Sequence, residues 1–523
     1  MSIREVKVNS ILAGMSPATY YANEGQFEAS IAIDPDYPIS SSNVRTSGFA
    51  VPIGHTKFSS TEVNTAPVAV ITTPKNTNVY VVTRGGKLIS YDSTLTTPTT
   101  IGTVTGTTAS SAAYYNNYIY IFGTGASADD VSRYGPLDNS PALANGYWKT
   151  TLALTALTNT TYPTLRGVSM PNHWGHVHGD NALYFTDFKN GQGLIHKIQT
   201  TRTTNEGDTN SGSSYNALDL PYGFYPTDIE SVSTNLFIVG TYSPDSSTTI
   251  VQGKGSFVIW DPTNTVSFFL GPVPLEDPLA TAAQNVNGVV HIWSGNGVNG
   301  VRLSKYIGGE STVDVCFLEE GLPPFPSAVD TIGNRIVWGG FTTYPTAAAV
   351  AWAYGSKNEQ LPTGVHCISR ATSSNSSNQN VTAVKYVQQG SNIQPKLVLG
   401  WHDGSGDGID KYSSSATLAA RLKIIWNLGQ KTKLNEITLP LAGAVDSNTT
   451  ITPTVYMDDG SSSVSLPVIN NTNYPGERQI YFSPTDLSGA IAENNIAIEF
   501  VWTGTNPLPI GFPISAWFDV YRV

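Results

Sequence analysis

Short hydrophobic runs that alternate with polar residues extend along almost the whole chain. They are rich in Val, Ile, Tyr, Thr and Trp, and most are bounded by Gly, Pro, Asn or Ser. A period of two residues is typical of β-strands, whereas helical spacing is nearly absent. The stretch 485–493, with Asp486 near its start, is an exception that predicts a helix of about two turns. The pattern therefore predicts an all-β protein.

A pair of hydrophobic strands recurs seven times. In each copy, a strand followed closely by Gly or another small residue leads through a loop to a second strand that often ends in an aromatic or charged residue. The copies are 79–82 with 88–92, 119–123 with 131–134, 183–187 with 194–198, 236–240 with 257–261, 290–294 with 301–306, 336–340 with 350–354, and 397–401 with 408–412. Aligned at positions 80, 120, 184, 237, 291, 337 and 398, they lie 40 to 64 residues apart.

This spacing is enough for one small four-stranded sheet per copy. Such a sheet cannot bury both of its faces alone, so radial packing around an axis predicts a β-propeller of about seven blades. Stacked sandwiches of two or three repeats each are the alternative, because the intervals are uneven. The copies match no propeller subclass with a sequence signature, and a count of six or eight blades stays open.

The pattern changes after residue 413. Residues 414–523 contain seven short strands separated by turn sequences such as Asp458-Asp459-Gly460-Ser461, which predicts a β-sandwich of jelly-roll type. These strands are expected at 422–426, 433–439, 451–457, 463–468, 478–482, 496–502 and 516–522. Residues 1–65 have few sustained strands and many turn residues, and we interpret them as an extended N-terminal arm that closes a blade. The propeller is then 66–413.

The chain has an unusually uncharged composition. Charged residues make up 13%, the formal net charge is -11 and the pI is near 5.2. No dense Lys/Arg run is present, which argues against sequence-specific nucleic-acid binding. The first residues have mixed charge, and no apolar run approaches the roughly 18 to 20 residues of a membrane helix, so we expect synthesis in a cytoplasm and no membrane insertion. Cys316 and Cys367 are interpreted as small buried hydrophobic residues.

Three histidines lie close together at His173, His176 and His178. Their spacing could present imidazoles to Zn²⁺, with Asp180 as the nearest carboxylate. The segment also contains two glycines that loosen any fixed geometry. Packing at the surface or between blades is the alternative interpretation.

The segment 403–410 partly imitates a calcium loop. Oxygen-bearing side chains alternate along it, including Asp403, Asp407 and Asp410, and a Gly stands at the sixth position. The twelfth position is Ser414, where the loop requires a bidentate Glu. A Gly/Asp-rich hairpin between two blade strands explains the segment equally well.

No catalytic motif stands out. The chain has none of the repeated Ser-x-Asp-x-Gly-x-Thr-Trp boxes of sialidase-type propellers, no Gly-x-Ser-x-Gly elbow and no phosphate loop. Adjacent acids such as Asp458-Asp459 lie in expected turns, where they are usually solvated. Most of the 26 Tyr and 10 Trp are expected in the core, although some could stack against sugars. We therefore expect a non-enzymatic protein.

Several short motifs carry a resemblance to a known group of proteins. They are Ala18-Thr19-Tyr20-Tyr21, Gly25-Gln26-Phe27, the segment 31–36, the segment 45–49 and Tyr456-Met457-Asp458-Asp459-Gly460. With a signature-poor propeller and a terminal sandwich, the chain resembles propeller-bearing virion proteins of tailed bacteriophages, similar to the nozzle and adaptor components of their tails. The resemblance implies a ring around a DNA channel and no catalytic residues.

The function expected from the resemblance is that of a structural protein of a tailed-phage virion, made in the host cytoplasm. Its partners would be other virion proteins and further copies of itself, without a cofactor unless Ca²⁺ or Zn²⁺ binds. A carbohydrate-binding protein for host attachment and a propeller glycosidase are the alternatives. Fold alone does not decide between them.

Overall fold

The computed structural model describes residues 2–10, 13–16, 26–36, 49–59, 62–104, 107–125, 129–149, 164–165, 168–169, 173–189, 191–199, 216–243, 253–263, 270–297, 300–319, 321–343, 346–355, 364–373, 378–388 and 395–521. Within these ranges the protein is all-β, as predicted, with a single 3₁₀ turn at Pro326–Ala328. The helix expected at 485–493 is wrong, since turns there lead into a two-residue strand. The Asp486 carboxylate accepts the backbone N–H of Ser483 at 2.8 Å, a local bond that favours a turn over a helix.

Six strands lie within the first 59 residues. They are β1 Ser2–Val8, β2 Gly14–Met15, β3 Gln26–Phe27, β4 Ala29–Ile31, β5 Phe49–Ala50 and β6 His55–Ser59. β2 and β3 pair with each other in parallel, and the other four strands pair with strands much later in the chain. Two motifs of the phage resemblance, 18–21 and most of 45–49, lie outside the described residues.

The middle of the described chain forms seven four-stranded antiparallel sheets, whose strands lie side by side in chain order. The first sheet is β7 Pro67–Thr72, β8 Val79–Thr83, β9 Lys87–Tyr91 and β10 Pro98–Thr103; the second is β11 Thr107–Tyr115, β12 Tyr118–Gly125, β13 Asp129–Gly135 and β14 Ala142–Lys149. A small hairpin follows, β15 Thr164–Leu165 and β16 Val168–Ser169.

The third sheet is β17 Gly175–His178, β18 Ala182–Lys189, β19 Gln192–Gln199 and β20 Asn216–Tyr222. The fourth sheet is β21 Phe224–Val232, β22 Asn235–Tyr242, β23 Lys254–Trp260 and β24 Leu270–Pro274. The fifth sheet is β25 Leu279–Val286, β26 Val289–Gly295, β27 Val301–Gly308 and β28 Ser311–Leu318. The sixth is β29 Val329–Ile332, β30 Arg335–Thr342, β31 Ala348–Tyr354 and β32 His366–Arg370, and the seventh begins with β33 Asn380–Val387, β34 Lys396–Asp403 and β35 Gly406–Tyr412. The N-terminal strand β6 pairs with β35 and supplies the fourth strand of the seventh sheet.

Each of the seven strand pairs found in the sequence falls on the second and third strands of a different sheet. The first strands of successive sheets are in contact from β7 through β11, β17, β21, β25 and β29 to β33, and β33 contacts β7. The contacts between sheets therefore close a cycle. This arrangement is compatible with a propeller-like fold.

Five of the seven first strands carry a β-bulge at a corresponding place. The extra residues are Val68, Ser110, Thr227, Thr281 and Thr382. A bulge bends its strand and re-aims a side chain. The Thr227 hydroxyl accordingly donates to the Ala280 carbonyl of the next sheet at 2.9 Å, and the Ser110 hydroxyl donates to the His173 carbonyl at 3.1 Å. At Thr227 and Ser110, the bulge residue thus links its sheet to the next one by a hydrogen bond.

The C-terminal residues form two sheets with one shared core. The strands are β36 Ala420–Asn427, β37 Thr432–Pro440, β38 Thr450–Met457, β39 Ser462–Ser465, β40 Ile469–Asn470, β41 Gln479–Phe482, β42 Ile491–Ala492, β43 Asn495–Trp502, β44 Ile510–Gly511 and β45 Ile514–Val520. One sheet has the order β1-β45-β37-β41 and the other β39-β38-β43-β36-β4. All seven strands expected in this region are present, and the two-residue strands β40, β42 and β44 were not anticipated.

The described part of the segment 1–65 joins the two halves of the protein. β1 and β4 are edge strands of the two C-terminal sheets, β5 pairs with β44, and β6 completes the seventh sheet. The segment also lies against the sixth sheet, where the Met15 N–H donates to the Val365 carbonyl at 2.8 Å. Glycine is required at this contact, because a Cβ on Gly364 would lie 2.0 Å from the Ala13 carbonyl oxygen.

A buried ion pair fixes the N-terminal segment to the sixth sheet. The two terminal nitrogens of Arg335 donate to the two carboxylate oxygens of Asp34 at 3.0 and 2.8 Å. Arg335 is 1% exposed. Burial by itself lowers the pKa of Arg335, but the Asp34 carboxylate outweighs burial and raises it. The apolar core around this joint runs from the C-terminal sheets into the fifth and sixth sheets, where Trp293 and Trp338 pack with ring centroids 5.8 Å apart.

Replacing one partner of this pair should destabilise the protein strongly. Asp34→Asn removes both hydrogen bonds to a carboxylate and leaves Arg335 with Asp36, 4.0 Å away, as its remaining counter-charge. Breaking a buried pair in this way typically costs about 3 to 5 kcal/mol. The measurement is the unfolding midpoint in urea. Glu493→Gln is the matched control, because Glu493 pairs with Lys431 at 2.6 Å on the surface and its loss should leave the midpoint unchanged. Equal midpoints for Asp34→Asn and the wild type would contradict the role assigned to the pair.

Candidate functional site

Polar side chains from three neighbouring sheets meet where the first strands of those sheets end. His176 and His178 lie at the end of β17, Glu230 and Ser231 at the end of β21, and Gln284 near the end of β25. Positions two apart on a strand face the same side, so both imidazoles of β17 point toward β21. We call these five residues the His–Ser cluster.

Ser231 is the centre of the His–Ser cluster. Its Oγ lies 2.6 Å from Nε2 of His176 and 2.9 Å from Nδ1 of His178. Nε2 of His178 lies 3.2 Å from the backbone carbonyl of Thr234, which can only accept a hydrogen bond. His178 therefore carries its proton on Nε2 in the neutral form.

The remaining proton positions follow from this tautomer. Nδ1 of neutral His178 is an acceptor, so the Ser231 hydroxyl donates to it. Nε2 of His176 then donates to Ser231 Oγ, which has lone pairs left to accept. The result is a directed chain of hydrogen bonds from His176 through Ser231 and His178 to the Thr234 carbonyl.

Burial shifts the pKa values of two members of the His–Ser cluster, His176 and Glu230. Burial, followed by the neighbouring His178, lowers the pKa of His176 to about 4. Burial raises the pKa of Glu230 to about 7. The Glu230 carboxyl accepts from the Ser231 N–H at 2.7 Å and from Gln284 Nε2 at 3.1 Å, and it lies 3.7 Å from Nε2 of His176. At neutral pH the cluster therefore has a neutral His176 beside a half-ionised carboxyl.

A second carboxyl on β21 serves to join sheets. Asp228 accepts the backbone N–H groups of Ile229 at 2.7 Å and Ala283 at 2.7 Å, the second of which belongs to the fifth sheet. Burial raises its pKa well above the ordinary value. Both oxygens of this buried carboxyl are occupied by backbone donors, so it is bonded as a link between sheets.

The third histidine of the expected zinc set is bonded elsewhere. His173 Nε2 lies 3.2 Å from Asp187 Oδ1, and His196 Nε2 lies 2.8 Å from Asp187 Oδ2. His173, Asp187 and His196 are all buried. The structure thus separates His173 from His176 and His178, and no group of three or more His, Cys, Asp or Glu side chains in the described ranges is placed to hold a metal ion. Asp180, the expected fourth ligand, instead accepts from Tyr184 and Lys197 at 2.8 Å.

The expected calcium ligands also occupy separate positions. Residues 403–410 form the β34–β35 hairpin, in which the Asp403 carboxylate accepts from Ser405 N and Gly406 N at 2.8 Å. Asp407 bonds His402 Nδ1 at 2.8 Å, and Asp410 accepts from Trp401 Nε1 at 2.8 Å. The hairpin alternative describes this segment, because each carboxylate is engaged with its own neighbours rather than with a common centre.

Both cysteines are free thiols. Burial raises the pKa of Cys316 and of Cys367 to about 12, which keeps both thiols protonated at neutral pH. No helix in the described residues is long and apolar enough to cross a bilayer.

Comparisons with known proteins give no family. No protein-family model and no curated protein matches the chain. Among solved structures, the computationally designed protein Ika8 matches with a TM-score of 0.36 and 12% identity over 68% of this chain and 99% of its own. A putative oxidoreductase (glucose dehydrogenase) from Thermus thermophilus matches with a TM-score of 0.34 and 10% identity over 69% of this chain and all of its own. Neither likeness is close enough to bear on function.

His176 and His178 were expected from the sequence as site residues, whereas Ser231 and Glu230 were not. These residues are separated from the histidines by more than 50 positions, and a Ser or Glu at the end of a strand has no distinctive pattern. The one sequence signal that could have placed these residues together is the correspondence between the first strands of the third and fourth repeats, since all four residues lie at the ends of those strands.

Stability should depend on pH through Glu230. Its pKa is about 7 in the folded protein against an ordinary value of 4.5, so the folded form binds the proton more tightly than the unfolded chain and loses stability as pH rises between these values. The difference in unfolding free energy between wild type and Glu230→Gln should fall by roughly 3 kcal/mol from pH 4 to pH 8. The measurement is urea unfolding at a series of pH values, with the exposed Glu310→Gln as the control expected to show no such trend. A pH-independent difference for Glu230→Gln would rule out this assignment.

Metal ions should not stabilise the protein. A ligand held at 100 times its Kd stabilises by about 2.7 kcal/mol, which a thermal melt detects. We expect the melting temperature to stay the same in EDTA, in excess Ca²⁺ and in excess Zn²⁺, because the expected ligands are bonded within the protein. A rise with Zn²⁺ that His176→Ala removes would show that the histidines bind metal after all.

Proposed function

We propose that the protein is a structural protein of a tailed-phage virion that assembles in multiple copies. In this proposal the seven sheets are the blades of a seven-bladed propeller, and the two C-terminal sheets are a sandwich of jelly-roll type. The proposal continues the resemblance found in the sequence, and three features of the structure support it.

The closed cycle of first strands supports the propeller. Each sheet contacts the next, the seventh contacts the first, and β6 joins an early part of the chain to the last sheet. In this closure, strands from the beginning and the end of the repeat region pair in one sheet, which stabilises a ring of sheets. It protects the seventh sheet from exposing β35 as an unpaired edge.

The N-terminal segment is the observation that carries the structural role. It runs from an edge of one C-terminal sheet, through the second sheet and the Asp34–Arg335 pair, to the seventh sheet. A chain tied together in this way transmits force between its two halves through backbone ladders and a buried ion pair. Transmission of force between the two halves is expected of a protein that bears load within a virion.

The outer strand of the fifth sheet offers a contact surface for another copy. β28 pairs only with β27 in the described structure; Val313 and Phe317 on β28 are 51% and 37% exposed, and Ile307 on β27 is 63% exposed. An edge strand with exposed apolar side chains tends to associate with another chain. We propose that a second copy of this protein covers this edge.

The two alternatives receive less support. Exposed aromatic rings such as Tyr222 and Tyr481 lie on different halves of the protein, which disfavours a sugar-stacking platform on one sandwich face. A glycosidase acid needs a raised pKa, and Asp228 and Glu230 have one. Both carboxyls, however, already accept hydrogen bonds within the protein. Asp228 accepts from the backbone N–H groups of Ile229 and Ala283, and Glu230 accepts from the Ser231 N–H and from Gln284 Nε2.

Assembly should be visible in the mass of the purified protein. We expect light scattering after size exclusion to give a multiple of the chain mass, and negative-stain images to show rings. Val313→Asp should shift the protein to the monomer because it buries a charge at the proposed contact, whereas Tyr481→Asp on the C-terminal half should not. A monomer that stays single with virion partners present and that binds or cleaves glycans would overturn the proposal.

A further inference from the structure

The His–Ser cluster has a hydroxyl whose proton already points at a base. The Ser231 proton is directed to Nδ1 of His178 at 2.9 Å, and the other nitrogen of His178 is held by the Thr234 carbonyl at 3.2 Å. A nucleophile bonded to a base, with the base oriented by a third group, is the arrangement used in covalent catalysis. The carbonyl takes the orienting role that a carboxylate has in the Ser-His-Asp triad.

We propose that Ser231 is a nucleophile for acyl transfer from small esters, with His178 as its general base and His176 as a hydrogen-bond donor to the developing oxyanion. This activity is separate from the proposed assembly role and does not depend on it. The cluster holds both imidazoles within hydrogen-bond distance of the Ser231 hydroxyl.

The chemical step balances with the groups present. Ser231 Oγ attacks the ester carbonyl carbon and forms a C–O bond, while its proton moves to Nδ1 of His178. The carbonyl oxygen becomes an oxyanion that accepts the Nε2 proton of His176 as a hydrogen bond. The bond to the leaving alcohol then breaks, and His178 returns the proton to that alcohol. Water hydrolyses the acyl-serine by the same route.

Solvent reaches part of the cluster. The side chain of His176 is 20% exposed, Ser231 is half-buried and His178 is buried. Ser233 and Thr234, in the turn after β21, are exposed. This turn is the side from which the proposed ester would approach Ser231.

A second serine–histidine pair in the same protein has a fully buried serine. Ser369 Oγ lies 2.9 Å from Nδ1 of His55, and Ser369 is 0% exposed, whereas Ser231 is half-buried. Burial lowers the pKa of His55 to about 4. This pair has a similar serine–histidine contact without an exposed hydroxyl, so it provides a matched control within the chain.

The test is covalent labelling with a fluorophosphonate, followed by mass spectrometry of the labelled peptide. Ser231 Oγ would displace fluoride from phosphorus, and its proton would pass to His178 and then to solvent. We expect one label per chain at Ser231, none in Ser231→Ala, and unchanged labelling in Ser369→Ala. Absence of label on Ser231 in the folded wild-type protein would overturn the proposal, whatever the variants do.

Two further variants separate catalysis from structure. His178→Ala should lower the labelling rate by about 100-fold or more, the usual contribution of a general base, and added imidazole should restore part of it. His176→Phe should lower the rate by roughly 10- to 1000-fold through loss of the oxyanion donor. Folding of each variant is checked by circular dichroism. Folded His178→Ala that labels at the wild-type rate would also overturn the proposal.

Discussion

The backbone ladder between β6 and β35 is the pairing on which the architecture depends. A four-stranded sheet has two edges and two faces, and it becomes stable in water only when neighbours cover the faces. The seven sheets cover one another in a cycle, and residues 55–59 return to complete the seventh sheet of that cycle. The same N-terminal segment also borders both C-terminal sheets, so one stretch of chain holds the two halves in register.

Polar side chains make many of the joints between sheets. The hydroxyls of Ser110 and Thr227 and the carboxyl of Asp228 all bond to backbone groups of the next sheet. Buried polar groups must find partners, and a satisfied bond between sheets fixes their relative position as well as their distance. Several buried acids and histidines of this protein are therefore structural, and a shifted pKa alone does not mark a functional residue here.

The His–Ser cluster differs from these joints in the direction of its bonds and in its exposure. At Asp187, two imidazoles converge on one carboxylate in a buried setting. At Ser231, two imidazoles converge on a hydroxyl, and the carbonyl of Thr234 decides which nitrogen carries each proton. The Ser231 hydroxyl therefore donates to an imidazole base, which is the arrangement that a nucleophilic serine requires.

The sequence by itself determined the local structure. The alternation of apolar and polar residues located the second and third strands of all seven sheets and the seven longer C-terminal strands, because a half-buried strand imposes a period of two. It did not reveal that β6 belongs to the seventh sheet, since the pairing of Tyr412 with His55 joins positions far apart in the chain. Spacing along a strand likewise left the zinc and calcium candidates open against packing and a hairpin, because it shows which side chains share a face but not what faces them. Only the packing of the third sheet against the fourth placed Ser231 between His176 and His178. The pairing of strands within the third sheet set Asp187 beside His196, and His173 bonds that same carboxylate.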